Sequence, residues 1–178
     1  MVEGNGSTTH KEELSPKTFV KGDLVVYPNH GAGTVFGIEE KTILGEERRY
    51  YIVYVPDGGL TLNIPADGDT GLRSCADDEE VAEALEILGS GPEDMPAHWN
   101  HRLKHNQEKI RSGEISRVAE VVRDLNAHGG ERGLSTGERN LLAKARRILI
   151  SEVALGKHLK TGEAEALVDG ALLGDGKA

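Results

Sequence analysis

Between residues 18 and 76 the chain alternates apolar and polar side chains in short runs that are separated by turn residues. The runs are Leu24 to Tyr27, Gly33 to Glu39, Arg48 to Val55, Leu60 to Ile64 and Leu72 to Ser74. Alternation with a period of two predicts β-strands, and the Gly, Pro, Asn and Asp residues between the runs predict tight turns. One hairpin cannot bury its own apolar face, so five short strands predict a small, strongly bent β-barrel.

From Asp77 onward, apolar residues recur every three or four positions, which predicts helices. The predicted helices run from Asp77 to Leu88, Ala97 to Arg111, Glu114 to Ala127, Ser135 to Val153 and Thr161 to Leu172. The Gly129-Gly130 pair is expected to end the third helix. At Ser135 the sequence S-x-x-E has the form of a capping box for the fourth helix, whose apolar stripe is the longest in the chain.

These elements predict an α+β fold, in which an all-β barrel is followed by an all-α domain of four to five helices. The expected divisions are a disordered tail at residues 1–17, the barrel at 18–76, the helical domain at 77–173 and a frayed end at 174–178. The composition supports two small domains in a chain of 178 residues, because six of the seven aromatic residues lie between Phe19 and Tyr54.

Charge is distributed unevenly along the chain, whose formal net charge is −9. Residues 97–150 hold 11 Lys or Arg and 6 Asp or Glu, a local charge of +5. From Asp77 to Asp94 there are 8 acidic residues and no basic one, which favours a solvated acidic face with good capping, or a surface that repels DNA. The total charge argues against general attraction to nucleic acid, but the second half contains a locally basic helical surface.

Several classes of function find no support in the sequence. Cys75 is the single cysteine, so no internal disulfide is expected, and we interpret it as a buried or half-buried bystander. Neither a secretory leader nor an apolar run long enough to cross a bilayer is present, which predicts a cytoplasmic protein without membrane contact. The common catalytic and nucleotide-binding motifs are also missing, so we expect neither an enzyme nor a cofactor.

A candidate metal site is offered by three histidines at the start of the second predicted helix, His98, His101 and His105. An i, i+4 pair of histidines on a helix can chelate Zn²⁺. No carboxylate or cysteine stands at a matching position nearby. We therefore expect these histidines to be polar surface rather than metal ligands.

Trp99, in the first turn of the second predicted helix, has two interpretations. It falls near one helical face with Leu103 and Ile110, which is typical of a core residue. Alternatively, it is an exposed wedge that stacks on a base or enters a minor groove, because several cations that could neutralise phosphates follow it. These cations are Arg102, Lys104, Lys109 and Arg111.

Both halves of the chain resemble one family. The barrel opens with GD-x-V-x-YP-x-x-G-x-G-x-V, and the helical half contains W-N-x-R-x-K-x-x-x-E-K-I-x-S-G, V-A-E-V-V-R-D-L and E-R-G-L-S-x-G-E-R-x-L-L-x-x-A-R-x-I-L. These patterns resemble the CarD/CdnL family of bacterial RNA polymerase-binding regulators, over about Phe19 to Gly156. The resemblance implies a Tudor-like barrel that docks on the β subunit of RNA polymerase, and a helical domain whose tryptophan wedges into promoter DNA and stabilises the open complex.

Carried over residue by residue, the resemblance assigns two sets of site residues. Trp99 is the wedge, and Arg102 and Lys104 are contacts to the DNA backbone. The barrel positions that match the polymerase-facing residues of the family are Lys41, Val53, Asn63 and Pro65, for which ordinary barrel surface or strand packing is the alternative. A regulator of this kind is expected to be cytoplasmic and associated with the nucleoid.

Two other hypotheses stay open at this point. Some relatives, the myxobacterial CarD among them, carry the same module ahead of an acidic region and an AT-hook tail that binds the DNA instead, and their module recruits a zinc-binding protein. The acidic first helix, and the replacement of frequent family arginines by Lys41, Asn63 and His101, favour such an adaptor, and the polar end of the chain would suit a module of this longer kind. A KOW-like ribosome or elongation-factor module would explain the barrel but not the helical half.

Overall fold

The structure is a computed structural model that describes residues 18–174, so the predicted tail at 1–17 and residues 175–178 lie outside the described part. Five strands are followed by five helices. The strands are β1 (Leu24–Tyr27), β2 (Gly31–Ile43), β3 (Glu46–Val55), β4 (Leu60–Pro65) and β5 (Arg73–Ser74). The helices are α1 (Asp78–Gly89), α2 (Trp99–Ser112), α3 (Ile115–Arg132), α4 (Thr136–Gly156) and α5 (Thr161–Leu173). The predicted α+β order is confirmed.

The strands form one antiparallel sheet in the order β4-β3-β2-β1-β5. Alternate residues point to a common core, which contains Phe19, Val25, Val35, Tyr51, Val53, Val55 and Ile64. This is the period-two pattern expected for a sheet with one buried face. The pairing of β2 with β3 shifts at Phe36, between Val35 and Gly37, and such a bulge turns its extra residue away from the regular alternation.

The helices enclose a second core, which contains residues from all five of them, including Leu88, Ile110, Leu125, Leu149 and Val168. Two capping boxes fix helix starts. Asp77 caps α1, and Ser135 caps α4 as the sequence predicts. No helix within residues 18–174 is long and apolar enough to cross a membrane.

The prediction that Gly129-Gly130 ends the third helix is wrong. Helix α3 continues through both glycines to Arg132, and the chain leaves it at Gly133, which has a φ of 76°. The side chain of Leu134 folds back over Gly129, where an added Cβ would lie 3.2 Å from the Leu134 Cγ. The helical conformation of the two glycines is therefore accompanied by a local contact with the residue that follows the helix end.

A buried joint connects the sheet to the helices. Arg73 of β5 donates through Nη1 and Nη2 to the Glu152 carboxylate of α4, at 2.6 and 2.8 Å, and through Nε to the Gly113 carbonyl at 2.5 Å. Glu152 also accepts from the Ala76 amide at 2.9 Å, and the Ala32 amide donates to the Ser151 hydroxyl at 3.0 Å. These bonds hold the two cores in one arrangement.

Candidate functional site

Trp99 is the first residue of α2, and its side chain is 48% exposed. Its ring lies beside that of His98, with centroids 6.4 Å apart and planes 20° from parallel. Leu103 and Ile110, which share its sequence spacing, turn into the helical core. Of the two interpretations that the sequence left open, exposure of the indole is the one the structure supports.

Two helix N-termini meet near this indole. Arg102 contacts Glu138 near the starts of α2 and α4, and Arg73 links the end of α2 at Gly113 to Glu152 late in α4. The two helices therefore run in the same direction. Helix α2 has no side-chain cap and no acidic residue in its first turn, so its free amides and positive dipole end favour an anion beside Trp99.

Arg102 does not lie where the predicted contact with the DNA backbone requires. Its side chain is buried, and Nε lies 2.5 Å from the Glu138 Oε1. Its Nη1 donates to the carbonyls of Pro96 and Ala97, at 3.2 and 3.1 Å. With its guanidinium occupied in this way, Arg102 ties the segment before Trp99 to the start of α4, which is a positioning role.

The carboxylate of Glu138 is held in its charged form by this contact. Burial alone would raise the pKa of Glu138, but hydrogen bonds from Arg102 and from Ser135 outweigh burial and bring this pKa below its usual value of 4.5. The charged Glu138 carboxylate therefore contributes to the stability of the fold above pH 4.5. This contribution is lost as the pH falls through the lowered pKa.

We expect the stability of the wild-type chain to fall as the pH drops below 4.5, in part because Glu138 becomes protonated. Substitution of Glu138 by Gln should lower the free energy of unfolding at pH 7. It should also make that free energy fall less steeply in acid, because an amide does not titrate. Urea unfolding at a series of pH values measures both effects. An equally steep loss of stability in acid for the wild type and for Glu138→Gln would contradict this role of Glu138.

The other cations of α2 divide into two kinds. Lys109 is enclosed, with Nζ 2.8 Å from the Glu120 carboxylate and 3.7 Å from that of Asp124. Lys104 and Arg111 are exposed and pair with no residue in the described part of the chain. Only these two of the four predicted phosphate partners on this helix have a free charge.

The histidines of α2 and Cys75 form no reactive cluster. His98 and His101 lie with ring centroids 5.5 Å apart, but residues 18–174 contain no group of three or more potential ligands placed to hold a metal. Burial, followed by the negative charge of Glu152, raises the pKa of the Cys75 thiol to about 12. Cys75 is therefore a protonated thiol at neutral pH.

A second candidate surface is the outer face of the barrel, on the side of β2 to β4 away from the barrel core. Here Lys41 Nζ donates to the Asn63 Oδ1 at 2.6 Å and lies 3.4 Å from the Glu39 carboxylate. Pro65 is exposed on β4, and its pairing partner on β3 is Tyr50. Three of the four predicted docking residues thus share this outer face.

Val53 does not share it. The side chain is 1% exposed and packs in the barrel core with Val35 and Leu62, its partners on the neighbouring strands. The predicted contact of Val53 with polymerase is therefore corrected to strand packing, because alternation places it on the same face as Val55.

Phe36 was missed by the sequence interpretation. The bulge in β2 leaves it 56% exposed, and it stacks on Tyr54 with ring centroids 5.5 Å apart. The consecutive apolar residues Val35-Phe36 break the strand alternation and were the available signal. An exposed aromatic pair on the outer face is typical of protein interfaces.

Comparison with known proteins agrees with this two-part geometry. The profile described as CarD-like/TRCF RID domain matches residues 19–74, and the profile described as CarD, C-terminal domain, matches residues 83–169. The chain is also 37% identical over 141 residues to YdeB of Bacillus subtilis (strain 168), a candidate transcription factor by its name, across 78% of this chain and 92% of YdeB. The chain therefore belongs to the CarD family of RNA polymerase-binding transcription regulators.

Proposed function

We propose that the barrel docks on the β subunit of RNA polymerase while the helical domain stabilises the open promoter complex in the bacterial cytoplasm. The exposed indole of Trp99 is the single observation that carries the DNA contact. It stands at the uncapped start of α2, on a helical unit that the bonds between Arg73 and Glu152 connect to the barrel. In this arrangement the polymerase brings the indole to a fixed place on the promoter.

The docking surface is the outer face that carries Lys41, Asn63 and Pro65. The bond between Lys41 and Asn63 links β2 to β4 and holds the lysine charge on the surface, where its side chain is 37% exposed. The Glu39 carboxylate lies 3.4 Å from the ammonium, but the closer partner is the neutral Asn63 oxygen, so the exposed ammonium can still pair with an acidic group on the partner.

The DNA contact combines a wedge with charge. A half-exposed indole can insert between base steps in the minor groove, which costs stacking energy but holds the duplex distorted. Lys104, five residues further along α2, is free to neutralise a phosphate, and the uncapped start of α2 offers amide donors. None of these groups reads bases, so sequence recognition is left to the polymerase.

Stabilisation of the open complex follows if the regulator binds that state more tightly than the closed one. Because the joint between Arg73 and Glu152 fixes the indole relative to the barrel, contact with distorted DNA depends on where the melted promoter lies. Only the state that brings the DNA to Trp99 gains the contact.

Reversal of the charge at Lys41 is expected to weaken polymerase binding about tenfold or more, because it places repulsion in the interface and breaks the bond to Asn63. Binding of immobilised polymerase to wild-type and Lys41→Glu chains measures the loss. Lys21→Glu is the matched control, since Lys21 is exposed in the turn before β1 and belongs to none of the strands β2 to β4 that form the outer face. Equal affinity of Lys41→Glu and wild type would contradict this docking surface.

A protein adaptor without DNA contact is the second candidate function, and the acidic α1 favours it, because its first turn carries three acidic residues and its last turn no basic one. In that case a zinc-binding protein co-regulator would be the other partner. A gel shift of the chain alone on promoter DNA over a salt series separates the two functions. Binding at low salt that weakens as salt rises supports DNA contact, whereas no binding at low salt supports the adaptor.

A further inference from the structure

A groove of about 400 Å³ lies between α2 and α4 and extends to the turn that joins β1 to β2. Buried apolar side chains, Ile110 and Leu141, line its floor. Arg111 and Lys144 line it on the two helices. No residue that lines the groove is acidic.

The two cations of this groove have no carboxylate partner. Arg111 makes no hydrogen bond or ion pair with any residue between 18 and 174. Lys144 donates only to the Asn29 amide oxygen, at 3.3 Å, across the groove end. Amide side chains of Gln107 and Asn140 also line the groove and offer neutral donors.

This charge pattern differs from that of a second groove among the described residues. That groove, about 220 Å³ beside α3, is lined by four acidic residues and two arginines, so carboxylates outnumber its cations. The α2–α4 groove instead keeps two positive charges unpaired beside neutral donors, which is the chemistry that binds phosphate oxygens.

The groove follows α2 from the side of Trp99 toward the barrel. Leu103, which lies next to Gly137 at the start of α4, lines one end, and Arg111, Lys144 and Asn29 line the other. Trp99 and Arg111 are 12 residues apart on one helix, which is about 18 Å at 1.5 Å per residue. Measured along the axis of a duplex, at one charge per 3.4 Å for each strand, that length spans about five phosphates of one strand.

We infer that the α2–α4 groove holds the sugar-phosphate backbone of a DNA strand, with Arg111 and Lys144 as phosphate contacts that continue the track from Trp99 to the barrel. The inference rests on the proposed function, because it requires the helical domain to lie against DNA. A duplex contact that extends to the barrel would orient the strand along both helices, so the indole meets one place on the DNA.

Binding of the full chain to a promoter duplex over a salt series tests the groove. The logarithm of affinity falls with the logarithm of salt concentration, with a slope of about 0.9 per neutralised phosphate. We expect Arg111→Gln and Lys144→Gln each to reduce the slope by about 0.9, and the double variant by about 1.8. Lys21→Gln removes one charge from an exposed barrel site and should leave the slope unchanged. Thermal unfolding by circular dichroism confirms that each variant is folded.

The outcomes distinguish the groove from the proposed function. Wild-type binding with an unchanged slope in the folded double variant would overturn the groove and leave DNA contact through Trp99 and Lys104 intact. No wild-type binding even at low salt would overturn both. Inorganic tripolyphosphate provides the last arm. Its addition could displace the duplex from the wild type by more than its ionic strength explains, and fail to do so in the double variant. That result would show a site for compact anions and would overturn the strand assignment.

Discussion

Substitution of Glu152 by alanine is expected to lower the free energy of unfolding by about 3 kcal/mol, because it removes one member of a buried ion pair. The Glu152 side chain is 1% exposed and accepts three hydrogen bonds, two from Arg73 and one from the Ala76 amide. Its loss leaves the Ala76 amide without its acceptor and the Arg73 guanidinium without a carboxylate, with only the carbonyls of Gly113 and Ser74 as acceptors. Arg73 is 31% exposed and recovers some hydration, so the lower end of the range for broken buried pairs is expected.

Urea unfolding of the wild-type chain and of Glu152→Ala measures this loss. Glu165→Ala is the matched control, since Glu165 is exposed on α5 and meets Arg146 only at 4.0 Å, and surface changes of this kind usually stay within about 0.5 kcal/mol. A loss below about 1 kcal/mol in Glu152→Ala would contradict a joint held by this ion pair. A second, earlier transition in the variant would show barrel and helices unfolding separately, which the wild-type joint is expected to prevent.

The joint is also the part of the fold that the sequence did not predict. Alternation and helical spacing are local signals, so they gave β1 at its observed bounds and the capping box at Ser135. Arg73 and Glu152 are 79 residues apart, and the sequence around each residue does not indicate that the two form an ion pair. Distant polar pairs of this kind follow from packing, which sequence periodicity does not describe.

The same distinction between local sequence signals and distant contacts applies to the site residues. The position of Trp99 at the start of a helix was predicted from Pro96 and the pattern after it, but its exposure had to come from the structure. Arg102 was expected beside the DNA because the family resemblance assigned it to a backbone contact. Arg102 is buried because it bonds to Glu138. The sequence indicates the role of Glu138 in the capping box of α4, but it does not indicate this contact with α2.

The misplacement of Val53 has a different cause. Its inward orientation follows from the alternation of Tyr51, Val53 and Val55, all of which lie in the barrel core. The family resemblance matches Val53 to a polymerase-facing position, with strand packing as the alternative, and the structure supports strand packing. A family correspondence indicates where a surface lies, whereas strand alternation decides which side chains reach it.

Substitution of Trp99 by alanine is expected to shorten the lifetime of open promoter complexes by about 5- to 150-fold, the equivalent of about 1–3 kcal/mol for loss of one base-stacking aromatic. Polymerase affinity should not change, because the docking residues lie on the barrel. Stability should change little, since the indole is half-exposed and the core residues of α2 remain in place. Open-complex lifetimes on one promoter, with polymerase saturated by each variant, measure the effect.

Asn100→Ala is the control for this experiment, because Asn100 is the next residue of α2, is exposed and has no described side-chain bond. Trp99→Phe should keep part of the lifetime, since a phenyl ring stacks but covers less of a base pair. An unchanged lifetime in Trp99→Ala, with polymerase binding intact, would show that the indole does not contact the promoter. The order wild type, Trp99→Phe, Trp99→Ala is the signature of a stacking wedge, because loss of a merely structural residue would lower stability instead.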